Sequence, residues 1–155
     1  MCSSDLFLET PLWVDDLDGY ADLRSRSPIR IAQGEWLTTH HEFAQLIDRG
    51  CVDVVQPDVG RVGGLTEALR VCRMAEEHGL TIVPHAWKTG ISVAVAAHLA
   101  TVTPAMAYFE FLPAEFCESR LRRELTVDEL AYRDGRLAVP QRPGLGVDIN
   151  RDALE

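Results

Sequence analysis

Five strand-like segments of this 155-residue chain each run out into a residue able to do chemistry: Glu9 after DLFL, Glu35 after IRIAQG, Asp58 after VDVVQP, His85 after TIVP and Glu110 after AYF. In parallel α/β architectures the carboxyl ends of the strands form the functional face, so residues far apart in sequence meet there. Glu9 and Glu35, at the exits of consecutive strands, are oxygen donors of the kind a hard cation such as Mg²⁺ takes, and two carboxylates leave much of an octahedral shell to water and substrate. Asp58 and His85 hold the next two exits. An aspartate that fixes one imidazole nitrogen makes the other a better base, which suits removal of a proton beside a carboxylate. A cation is as necessary as that base, because the carbon acid is too weak for imidazole alone near neutral pH and the charge developing on the substrate oxygens needs a counter-charge.

Glu110 lies between aromatic residues in YFEF. Burial there is expected to raise its pKa and let it donate a hydrogen bond to the same developing charge. Lys88, three positions after His85, is a candidate contact for a substrate carboxylate or hydroxyl, and Trp87 is a candidate pocket wall. Taken singly, each of these residues is ordinary: a strand-end glutamate is more often a cap or a solvent-facing group. The joint placement on five successive strands carries the functional reading. His40, His41, His78 and His98 occupy no matching exit and read as surface or helix residues. Gly60, Gly63 and Gly64 read as turn residues, since GRVGG matches neither standard phosphate motif.

The elements that must position these groups alternate. Residues 6–9 read as a buried strand, followed by a short helix containing Leu17, Tyr20 and Leu23. Ile29 to Ala32 is the next strand, and Thr39 with Glu42 three residues later forms a capping box for a helix built on Phe43, Leu46 and Ile47. Val52 to Gln56 is a β-branched run of the kind covered on both faces. Thr66 is the expected cap of the following helix, and Gly79 its end. Thr81 to Val83, a helix over about 91–101 and the strand AYFEFL complete the rhythm, which demands parallel strands in consecutive order with right-handed crossovers. From Pro113 the character changes, with an Asp-Gly turn at 134–135 between two short alternating stretches. The domain boundaries expected are therefore 1–112 for half of a β/α barrel and 113–155 for a tail that packs on the barrel or on a capping domain.

Composition narrows the class. With 46% hydrophobic residues the chain supports a packed core. A complete eightfold barrel takes roughly 250 residues, so the alternation fills only about half of one. Fifteen Lys plus Arg against 24 Asp plus Glu give a formal charge of −9, with no basic face to offset it, which argues against nucleic acid. Cys2, Cys51, Cys72 and Cys117 form no metal-binding or redox spacing and read as reduced thiols of a cytoplasmic protein, Cys51 and Cys72 packed as small hydrophobes. No stretch reaches about 18 apolar residues, so no membrane segment is expected.

The segments FLETPL, AQGE, VDVVQPDVGRVGG, IVPHAWKTGI and YFEFLPAE, in this order, resemble the successive barrel-strand motifs of the mandelate racemase and muconate lactonizing enzyme group of the enolase superfamily, over residues 5–150. The resemblance implies an α/β fold that is a partial TIM-type barrel, roughly its last five strands plus a C-terminal capping tail. It implies Mg²⁺ held by Glu9 and Glu35 as the second and third metal carboxylates, Asp58 and His85 as the general base, and Glu110 as a hydrogen-bond partner of the substrate carboxylate. The activity it implies is abstraction of the proton alpha to a carboxylate, with dehydration of a sugar acid favoured by the Asp–His pair and the WKTGI context. The same pair serves racemization of a 2-hydroxy acid. The family's capping domain, first metal carboxylate and second-strand lysine motif have no counterpart in this sequence, so truncation and an inactive structural protein stand beside the enzyme. An open doubly wound sheet with no metal is the remaining alternative. Exposed strand edges on a half-barrel imply a homo-oligomer, or association with a separate N-terminal half.

Overall fold

The computed structural model describes every residue except Met1, Cys2, Asp5, Ala107, Glu129 and Ala131, so the reading of Cys2 and the first residue of the AYFEFL strand lie outside the described residues. Among the described residues nine short strands alternate along the chain with four principal helices. Ser3–Ser4 (β1) pairs antiparallel with Phe7–Glu9 (β2). Leu17–Arg26 (α1) leads to Ile31–Gln33 (β3), and His40–Asp48 (α2) to Val54–Val55 (β4). Leu65–Glu77 (α3) precedes Thr81–Ile82 (β5) and His85–Ala86 (β6); Gly90–Ala100 (α4) precedes Glu110–Phe111 (β7). β2, β3, β4 and β5 are parallel neighbours in sequence order, and β6 pairs parallel with β7. Parallel bridges Asp58–His85 and Ile82–Met106 carry the same order onward. The consecutive order is that of a barrel wall and excludes the open doubly wound alternative, whose strand order reverses at its switch point.

The register sorts side chains into two layers. Leu8 pairs with Ile31, and Gln33 with Val55 and then Ile82; Ile31, Val55 and Ile82 pack under the helices with Tyr20, Phe43, Leu46, Val71 and Leu99. The alternate residues Phe7, Ala32, Val54 and Val83 form a small second cluster on the opposite face. Glu9 pairs with Ala32, and so stands on that second, inner face. Strict alternation along a strand then sends Glu9, Asp58 and His85 to one side of the sheet.

Local sequence sets the helix starts. Thr39 accepts from Glu42 N while the Glu42 carboxylate accepts from Thr39 N at 2.8 Å, the reciprocal capping box expected. At α3 the expectation fails: the cap is Gly64, not Thr66, and no side chain caps the helix. Gly63 and Gly64 take φ values of 103° and 96°, so two glycines in a backbone region that other residues rarely adopt turn the chain into the helix two residues earlier. The strands are shorter than read, although Asp53 N to Ile31 O and Gln56 N to Gln33 O extend the β4 ladder beyond its core pair. β1 was not foreseen; its two residues cover the outer edge of β2.

After β7 come Arg120–Glu124 (α5) and the hairpin of Tyr132–Arg133 (β8) and Arg136–Leu137 (β9). Asp134 and Gly135 at φ 51° and 73° form its turn, as a two-residue Asp-Gly connection requires. Arg122, only 1% exposed, donates to Leu112 O at 2.8 Å, and His98 of α4 meets Leu145 O at 3.2 Å. A Cβ at Gly90 would lie 2.3 Å from Thr126 Oγ1, so the tail sits hard against the start of α4.

Candidate functional site

Pro57 and Pro84 end two strands and release Asp58 and His85 onto the same level, where they pair as a parallel bridge. His85 Nδ1 lies 3.0 Å from Asp58 Oδ2, with side chains 10% and 1% exposed. The other aspartate oxygen accepts from Gly60 N at 2.8 Å, Arg61 N at 3.2 Å and Lys88 Nζ at 3.3 Å. Burial alone would raise the Asp58 pKa, but the His85 hydrogen bond and the Lys88 ammonium bring it below the usual carboxylate range. An ionised Asp58 can only accept, so Nδ1 carries the proton and Nε2 is the atom left for chemistry.

Nε2 is not free. Glu35 Oε2 lies 3.2 Å from it, and the other Glu35 oxygen accepts from Thr10 Oγ1 at 3.5 Å. Glu35, read from the sequence as a cation ligand, therefore sits against the base. Lys88, read as a substrate contact, pairs with Asp58 while 42% of its side chain remains exposed. Trp87 lies nearly parallel to the His85 ring, at 7° and 6.0 Å between centroids.

Glu9 and Glu110 make up the second half of the site. β6 and β7 pair His85 with Glu110, which puts both on the inner face. Burial and the neighbouring Glu9 carboxylate push the Glu110 pKa up to about 7, while His85 and Trp87 pull the other way. Among the described residues Glu110 Oε2 is buried without a hydrogen-bond partner. The two carboxyls border a cavity of about 260 Å³ whose apolar walls are Leu6, Phe7, Val83, Tyr108 and Phe109. Trp87 is not among these walls, but its side chain hydrogen-bonds Glu110 at their edge.

The donor set suits a hard divalent cation in kind. Glu9 and Glu35 offer carboxylate oxygens from adjacent strand ends, beside the unpartnered Glu110 oxygen. It does not close a cage: among the described residues no three His, Cys, Asp or Glu side chains converge as a ligand group. A cation held by these residues would keep several waters or substrate oxygens, as Mg²⁺ tolerates.

Thr10, Trp36 and Arg61 at the site were not foreseen from the sequence. Thr10 follows Glu9 directly and takes φ 40°, and Arg61 stacks its guanidinium 4.2 Å from the centre of the Trp36 ring. The adjacency of Thr10 and Trp36 to the two glutamates was the available signal.

Residues 4–153 match the family described as Enolase C-terminal domain-like. The chain is 33% identical over 153 residues to D-galactarolactone cycloisomerase of Agrobacterium fabrum, covering 96% of this chain and 40% of that protein. Among solved structures it is similar to 3,6-anhydro-D-galactonate cycloisomerase from Zobellia galactanivorans, with TM-score 0.86, 36% identity, and coverage of 96% of this chain and 41% of the other. It is also similar to L-talarate dehydratase from Polaromonas sp. JS666, a structure complexed with Mg and L-glucarate, with TM-score 0.81, 32% identity, and coverage of 96% and 38%. The chain thus spans about 40% of the length of these relatives.

Proposed function

The chain belongs to the Enolase C-terminal domain-like family, and from that premise we propose that it carries the base side of an active site that removes the proton alpha to the carboxylate of a sugar acid, with dehydration as the outcome. The observation that carries this reading is the His85–Asp58 pair at 3.0 Å, level with Glu110 and nearly closed to water. Substrate entering beside His85 displaces Glu35 from Nε2. Nε2 then takes the alpha proton while Asp58 holds the imidazolium that results. Glu110, its pKa raised to about 7, donates in its protonated form to the substrate carboxylate as charge builds there, and the half-exposed Lys88 beside Asp58 meets the same anion. Loss of the β-hydroxyl as water, with a proton returned to it, leaves an enol that tautomerises to the 2-keto acid. Glu9 and Glu35 would hold a divalent cation, Mg²⁺ by the nature of their oxygens; when bound it supplies positive charge against the developing carboxylate charge.

Two of the relatives named above are cycloisomerases, which favours a second reading: the same proton abstraction followed by ring opening or closure. The product separates the two. Purified chain with Mg²⁺ and a panel of acyclic and cyclic sugar acids is expected to form 2-keto acid, measured with semicarbazide, and His85→Asn to abolish it while leaving Mg²⁺ affinity within about twofold. Full activity in that variant would overturn the assignment of the base. An inactive wild-type chain that binds no Mg²⁺ by calorimetry would favour an interaction protein.

A further inference from the structure

We propose that Arg61 is a positioning residue for the Asp58–His85 pair, a clamp that ties the loop carrying Glu35 to the loop carrying Asp58. Its main-chain N–H donates to Asp58 Oδ1 at 3.2 Å. Its guanidinium carbon stands 4.2 Å from the centre of the ring of Trp36, the residue after Glu35. Glu35 touches His85 Nε2 at 3.2 Å and Asp58 touches Nδ1 at 3.0 Å. The contacts therefore close a circuit: Asp58, His85, Glu35, along the chain to Trp36, across to Arg61 and along the chain back to Asp58. Among the described residues the Arg61 guanidinium has no acidic partner, and its Nε is buried without a hydrogen bond. Arg24, a part-buried arginine elsewhere in the fold, is held by Asp53 and Gly50 O. What fixes Arg61 is the aromatic face beneath it, and a flat cation over a π-face sets both the separation and the tilt of the two loops. An imidazole held between two carboxylates on different loops is sensitive to just that separation.

The proposal deepens the reading of the site as a proton-abstracting centre and rests on it for its kinetic consequence. Its first test needs no turnover: ¹⁵N-histidine spectra of the chain, with His78, at the far end of α3, as internal reference. Arg61→Met and Trp36→Ala are each expected to shift and broaden the His85 ring signals and leave those of His78 in place. The double variant is expected to go no further than either single one, and Trp36→Phe to match wild type. With sugar acid and Mg²⁺, Arg61→Met should lower kcat about tenfold with KM changed less than about twofold, and Arg61→Lys should restore only part of it. Unchanged His85 signals in both single variants, additive effects in the double variant, or a raised KM at constant kcat would overturn the clamp. If wild type turns over no sugar acid, the functional reading fails while the spectra still decide the clamp.

Discussion

At Glu110 one proton serves both the proposed chemistry and the stability of the fold. Its carboxyl is raised from an ordinary value of 4.5 to about 7 by burial and by Glu9, so the folded chain keeps a proton that the unfolded chain releases. Its contribution is therefore most favourable below pH 4.5 and is lost as the pH rises through 7. In Mg²⁺-free buffer, wild type is expected to lose more thermal stability between pH 5 and pH 8 than Glu110→Gln, followed by circular dichroism; parallel profiles would show that the carboxyl is not held protonated by the fold. The placement of Asp58, His85 and Glu110 at neighbouring strand exits was readable because strand-exit position is a property of the sequence. The placement of Glu35 on Nε2 and of Lys88 on Asp58 was not, because both depend on rotamers chosen among neighbours from three different loops.

At the level of elements, the turn from β3 into α2 bears most directly on the site. Gly34 has φ 140°, and a Cβ there would lie 2.7 Å from Phe43 Cε1 and 3.0 Å from Gln56 N. Neither the backbone just after β4 nor the core ring of Phe43 can give way cheaply. Gly34→Ala is expected to cost about 1–3 kcal/mol in urea unfolding and to displace Glu35, the next residue, weakening Mg²⁺ binding more than Thr39→Ala does; the latter removes only a helix cap worth about 1 kcal/mol. Equal Mg²⁺ affinity in both variants would mean that Glu35 is not held by this turn. Thr39 and Glu42 announced α2 because a capping box is local. The start of α3 was misread at Thr66 because glycine conformation depends on where the chain must go next, and the strands were read too long because a β-branched run continues past the paired residues.

For the whole molecule, the alternation of strands and helices was enough to foretell a consecutive parallel wall, since connections of helix length leave few other topologies. Which surfaces stay open was less legible. Leu6 and Tyr108, at 50% and 53% exposure, border the cavity beside Glu9 and Glu110, and Trp13 is 78% exposed. We propose that this apolar margin drives self-association of the chain, and expect light scattering to give a mass above that of one chain, falling on dilution; a single-chain mass at all concentrations would contradict it. The account turns on His85 taking a proton from carbon. The direct measurement is exchange of the alpha hydrogen of a sugar acid in D₂O with Mg²⁺, followed by proton NMR and independent of what happens to the substrate afterwards. Loss of the alpha-hydrogen signal with wild type and its persistence with His85→Asn is the expected result; exchange that proceeds equally in both would contradict the account.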